Sequence, residues 1–127
     1  MRIAVDTNAY GAAARGEPRA VALLRAANQV TLPFVVVAEL RAGFAAGSAG
    51  RRNEAALTRF LGSSRVDVLY PDEQTTHHYA SVYAQLRRQE TPIPTNDLWI
   101  AALVVQHDLV LFSEDAHFAK IPQIARA

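Results

Sequence analysis

The sequence predicts an α/β protein: a parallel sheet covered by helices on both faces. Short apolar, β-branched runs recur at Arg2–Val5, Val30–Leu32, Val66–Leu69 and Leu109–Phe112. Helix-like stretches lie between successive runs. Strands separated by helices imply a parallel sheet covered on both faces, since parallel pairing needs crossovers of this length.

The elements follow in order. Arg2–Val5 is small and β-branched and is stopped by Asp6. Thr7 to Asn28 is alanine-rich, and breaks at Gly16 and Pro18 divide it into a short helix, a turn and a second helix. After the Val30–Leu32 strand, Pro33 is placed to open a helix from Phe34 to Ala46, which Gly47 ends. Arg51 to Leu61 forms a further helix, with Gly62 behind it. Asp72 to Arg88 carries Tyr79, Val82, Tyr83 and Leu86 at the spacing of one buried face. Thr91-Pro92-Ile93-Pro94 is a rigid extended linker, and Thr95 or Asn96 is expected to cap the helix that runs to His107. Leu109–Phe112 is the clearest strand, bounded by Asp108 and Ser113, and a helical turn follows from Asp115 to Lys120. Periodicity does not give the strand order.

Composition narrows the function. A chain of 127 residues suits one domain, residues 1–127. With 13 basic against 12 acidic side chains, nucleic acid is not held by overall charge, so any contact needs a local patch. The absence of cysteine excludes disulfides, thiolate metal sites and cysteine nucleophiles. The first apolar run ends at once at Asp6, unlike a signal peptide, and no uncharged run approaches the roughly 20 residues that cross a bilayer. A cytoplasmic protein without a membrane partner is expected.

The acids carry the chemistry. Asp6 and Asp115 each follow a strand, and sites on open α/β sheets form beyond the carboxyl ends of strands. Each also reads as a turn residue or cap. Glu39 lies in the apolar helical stretch Phe34-Val35-Val36-Val37-Ala38-Glu39-Leu40, where a carboxylate needs a cation or donors. An ion pair with Arg41 or Arg15 is the plain alternative. Asp97 sits in the first turn of its helix, where the dipole favours an anion, yet Ile100, Ala101 and Val104 turn its face inward. Two carboxylates about 5 Å apart at an effective dielectric near 20 repel by about 3 kcal/mol, so four converging acids need protons or cations. An all-oxygen set of this kind suits Mg²⁺ or Mn²⁺, which serve phosphodiester hydrolysis.

Other groups read more plainly. His77 and His78 are adjacent on a helix and diverge into solvent. His107 is a helix C-terminal residue; His117, two residues after Asp115, is placed to touch substrate but reads more plainly as a packing or capping residue; Trp99 is core or interface rather than a base-stacking platform. Arg41, Arg51, Arg52, Arg59 and Arg65 make the middle of the chain basic, as a solvated helix face or a surface that follows phosphates. There is no P-loop, GxGxxG or HExxH pattern.

Four motifs then stand in order: Val5-Asp6-Thr7-Asn8, Glu39-Leu40-Arg41-Ala42-Gly43, Asn96-Asp97-Leu98-Trp99-Ile100-Ala101-Ala102 and Ser113-Glu114-Asp115-Ala116-His117-Phe118. Together they resemble the PIN-domain ribonucleases, and most closely the small VapC-like and FitB-like toxins of bacterial toxin–antitoxin pairs. The resemblance implies a three-layer α/β/α sandwich around a parallel sheet of four or five strands. It implies a Mg²⁺- or Mn²⁺-dependent endoribonuclease that hydrolyses RNA with a metal-activated water, with Asp6, Glu39, Asp97 and Asp115 as the metal-binding catalytic acids. Asn8 would steady the loop of the first acid and Ser113 would support the fourth. It further implies a homodimer and a small antitoxin that blocks the acidic pocket. The alternative is a DNA-bound regulatory subunit acting with its antitoxin, its nuclease activity secondary. The tail Ile121–Ala127 departs from the pattern, because the expected closing edge strand is short or absent. Alanine-rich helix from Ala12 to Ala27 and the Phe34–Phe44 helix supply more apolar surface than such a sheet covers, which favours self-association and a partner.

Overall fold

Burial of consecutive strand residues reveals the layering. In the computed structural model, which describes residues 1–127, Ile3, Ala4 and Val5 are all fully buried. Neighbours in a strand point to opposite faces, so both faces of this strand are covered. The strand is β1 (Arg2–Val5), and it is followed by α1 (Thr7–Ala14), α2 (Pro18–Ala26), β2 (Gln29–Pro33), α3 (Phe34–Ala46) and α4 (Gly50–Leu61). Then come β3 (Val66–Leu69), α5 (Glu73–Arg88), α6 (Thr95–His107), β4 (Val110–Phe112) and a 3-10 turn at Ala116–Lys120. The result is a four-strand parallel sheet flanked by six helices.

The strand order is β3-β2-β1-β4, with Ile3 opposite Val30 on one side and Val110 on the other. The chain therefore builds outward from β1 to β3 and then returns to place β4 on β1's free edge. That reversal opens a crevice beyond the carboxyl ends of β1 and β4. The closing edge strand is reduced to one parallel bridge between Leu111 and Arg126. Two hydrogen bonds hold it, from Leu111 N–H to Ala125 O at 2.8 Å and from Ala127 N–H to Leu111 O at 3.0 Å.

Local chemistry explains the element ends. Gly16 takes the left-handed conformation (φ 79°) that turns α1 into α2. Pro33 ends β2, opposite Leu69, and serves as the N-cap of α3. Asp72 and Thr75 form a reciprocal capping box at α5. The expected Thr95 or Asn96 cap is not formed: Pro94 is the N-cap of α6, and no side chain caps it. Proline at φ −59° already has an extended ψ of 152°, which starts the helix one residue early.

α6 is the innermost helix, with Leu98, Ile100, Ala101, Ala102, Leu103 and Val104 all buried. α5 packs along it through Thr75, Val82 and Leu86, and Tyr79 lies against Trp99 with ring centroids 4.5 Å apart. Tyr83 was expected on this face but is exposed. It follows Val82 by one residue, about 100° around the helix, and so falls outside the contact stripe. Trp99, half-buried, also meets Phe34 edge-on and packs against the core.

Candidate active site

Four chain segments border the crevice, and each brings one acid. Asp6 follows β1 and caps α1: its Oδ1 accepts from Ala9 N–H at 2.8 Å. Its Oδ2 accepts a short hydrogen bond from the Ser113 hydroxyl, just past β4. Ser113 Oγ in turn accepts from Asp115 N–H at 3.0 Å, so one hydroxyl ties the first acid to the loop of the fourth. Asp115 Oδ1 accepts from His117 N–H at 2.9 Å, capping the 3-10 turn. From the first turn of α6, Asp97 Oδ2 lies 2.6 Å from His117 Nδ1, which is also 3.0 Å from Asp115 Oδ1. Glu39, on α3, accepts from the Thr7 hydroxyl at 2.7 Å.

The alternatives for these acids can now be weighed. Neither expected arginine reaches Glu39. Arg41 pairs with Glu54 at 2.8 Å and Arg15 with Glu17 at 3.6 Å. Asp6 does cap a helix, but it is also buried beside other acids. Asn8 is exposed and makes no side-chain hydrogen bond; the first acid's loop is steadied instead by Ala9 N–H and Ser113. His117, expected to pack or cap, lies with its ring between two acids. Its place two residues beyond Asp115 is the signal that the sequence offers for a role at the site, and the ring meets Asp97 as well. His77 and His78 stay apart from the acids.

Burial pushes the Asp6 carboxyl above its ordinary range, the negative charges of Asp115 and Asp97 push it further, and the bonds from Ser113 and Ala9 oppose this. Asp97 is raised as well, first by burial and then by Asp115 and Glu39, against the hydrogen bond and charge of His117. The acids thus sense one another, and the pocket favours a cation. Donor atoms of Asp97, Asp115 and His117 lie within 4.8 Å of one another. An octahedral ion with ligands at about 2.1 Å sets neighbouring donors about 3 Å apart, so this spacing fits a divalent cation.

Positive charge lies along α3 and α4. Arg51, Arg52 and Arg59 are exposed there, while Arg41 is paired with Glu54. Arg65 does not join them: its guanidinium donates to Ala27 O at 2.5 Å and Leu24 O at 3.2 Å, tying the end of α2 to β3. A groove of about 370 Å³ between α1, α2 and α4 is lined by Tyr10, Ala13, Ala14, Val21, Leu24, Ala56 and Phe60. No helix is long and apolar enough to cross a membrane.

Residues 3–124 match the family model described as the PIN domain. The chain is 32% identical over 115 residues to ribonuclease VapC1 of Haemophilus influenzae, covering 87% of this chain and 84% of that protein. It superposes on a VapBC-1 structure from nontypeable Haemophilus influenzae with a TM-score of 0.84 at 27% identity, over 100% of this chain and 97% of that one. A DNA-bound VapBC structure from Salmonella typhimurium gives a TM-score of 0.87 at 25% identity, covering 100% and 97%.

Proposed function

From the chain's membership of the PIN-domain family, we propose that it is a divalent-cation-dependent endoribonuclease, the toxin of a toxin–antitoxin pair. One observation carries this reading: four acids from separate segments meet at the sheet's switch point. Asp6, Glu39, Asp97 and Asp115 would hold Mg²⁺ or Mn²⁺. When bound, the cation supplies positive charge for the phosphate oxygens and acidity for the attacking water.

The chain's own residues prepare that chemistry. Ser113 and Ala9 fix both oxygens of Asp6, so its carboxylate cannot rotate away. Thr7 fixes Glu39, and His117 N–H holds Asp115. Orientation is thus set before substrate arrives. The exposed arginines of α4, Arg51, Arg52 and Arg59, offer positive charge to the phosphates of RNA. The chain's partner on this reading is a small antitoxin, in line with the VapBC-1 structure from nontypeable Haemophilus influenzae that it superposes on, and its active form is proposed to be a homodimer in the cytoplasm.

The test is RNA cleavage by the isolated chain with and without Mg²⁺ or Mn²⁺. Cleavage abolished by a chelator and restored by the cation is expected. An inert chain that binds operator DNA only together with its antitoxin would favour a regulatory subunit, the role suggested by the DNA-bound Salmonella typhimurium relative.

A further inference from the structure

The geometry points to His117 as a metal ligand, through Nδ1, that turns an all-oxygen site into one favouring Mn²⁺ over Mg²⁺. This rests on the metal-dependent reading above. The compact donor triple is Asp97, Asp115 and His117. Asp6 already accepts on both of its oxygens and Glu39 on one. His117 Nδ1 stands 3.0 Å from Asp115 Oδ1, the spacing of neighbouring ligands around an ion with bonds near 2.1 Å. Its 2.6 Å approach to Asp97 Oδ2 is a hydrogen bond donated by Nδ1–H; a cation that binds there displaces this proton to solvent or to Nε2, leaving the ring as the Nε2–H tautomer with its Nδ1 lone pair on the metal.

Position is imposed on the ring. The backbone N–H of His117 is tied to Asp115, and the next residue, Phe118, is buried in the core. The side chain is still 37% exposed, so an ion can reach it. Imidazole nitrogen adds little for Mg²⁺, which prefers oxygen and water, and more for Mn²⁺ and the metals beyond it in the affinity series.

Pulsed EPR of Mn²⁺ bound to the metal-stripped protein tests this, because a directly bound imidazole shows as a ¹⁴N coupling. The expected result is one such coupling, absent in His117→Asn and His117→Gln. Both variants should bind Mn²⁺ at least about tenfold more weakly, with Mg²⁺ affinity by competition changed less than about threefold. If neither variant folds, labelling wild-type histidine with ¹⁵N decides, since the coupling must change to that of ¹⁵N. Mn²⁺ bound without nitrogen coupling, or with coupling that survives in the variants, overturns the inference and leaves a carboxylate metal site standing. No Mn²⁺ binding at all removes the metal reading as well.

Discussion

Asp6 is held under strain of charge. Its carboxyl is raised by burial and by Asp115 and Asp97, so the folded chain binds that proton more tightly than the unfolded one. The sign follows: without metal, the cost of ionising Asp6 is absent below the ordinary value of 3.8 and grows as pH rises from there to the raised value. Asp6→Asn should therefore melt at the same temperature as wild type in acid, and at the same or a higher temperature at neutral pH in chelator. The amide oxygen can keep Ala9 N–H, and the Ser113 hydroxyl can turn to accept from the amide. RNA cleavage should fall at least about a thousandfold, through loss of several kcal/mol of charge stabilisation. Melting curves from pH 4 to 8 and a cleavage assay check both halves, and unchanged cleavage would remove Asp6 from the chemistry. Asp6 and Asp115 were legible because each ends a strand, and Glu39 because it interrupts an apolar helix. His117 was legible only by its place two residues after Asp115, since a histidine beside an acid carries no periodicity. Only the fold brings Asp97 to its other side.

Elements were legible where side-chain period and punctuation agree. β1 matches its expected limits, and α3 runs from Phe34 to Ala46 as its proline and glycine signals require. α5 shows the limit, because Val82 and Tyr83 are both apolar neighbours and only packing on α6 selects Val82. The element ends also make predictions. Asp108 ends α6 in the left-handed region at φ 53°, exposed, with a negative charge at the negative end of the helix. Asp108→Gly should stabilise by about 0.5–1 kcal/mol, the strain and dipole relief exceeding glycine's entropy cost. A lower melting temperature would contradict this. Phe118 locks the 3-10 turn that carries Asp115 and His117 and is 1% exposed. Phe118→Ala should cost about 3–5 kcal/mol and also weaken cleavage at temperatures where the chain stays folded. Urea unfolding beside the cleavage assay separates the two effects.

At the scale of the molecule, strand order is what the sequence withheld. Apolar runs and crossovers specify a parallel sheet, but β4 beside β1 is a long-range choice that no local pattern encodes, and it is this choice that makes the crevice. Of the apolar surplus expected on Ala12–Ala27 and Phe34–Phe44, the first borders an open groove, whereas Val35, Val36, Val37 and Leu40 of the second are buried in the fold; two separate surfaces stand out. One is the groove between α1, α2 and α4, of about 370 Å³. The other, of about 510 Å³, lies between α5 and the linker to α6, beside Tyr83, which is 49% exposed. The first runs along α1, whose N-cap is Asp6, so a segment seated there can extend into the acidic pocket. On the proposed function the first would take the antitoxin and the second another copy of the chain. Separate surfaces predict separable variants. Ala14 is exposed at the end of α1 and lines the first groove. Ala14→Glu should weaken the antitoxin at least about tenfold by placing a bulky carboxylate, costly to desolvate, in an apolar stretch of the groove, while cleavage by the free chain and its mass in solution stay unchanged. Tyr83→Arg should halve the mass at micromolar concentration and leave antitoxin binding intact. Light scattering and titration with the antitoxin read both. If either variant disrupts both associations, the two surfaces are not independent. A wild-type chain that is monomeric and ignores the antitoxin would refute the toxin assignment and leave the nuclease standing.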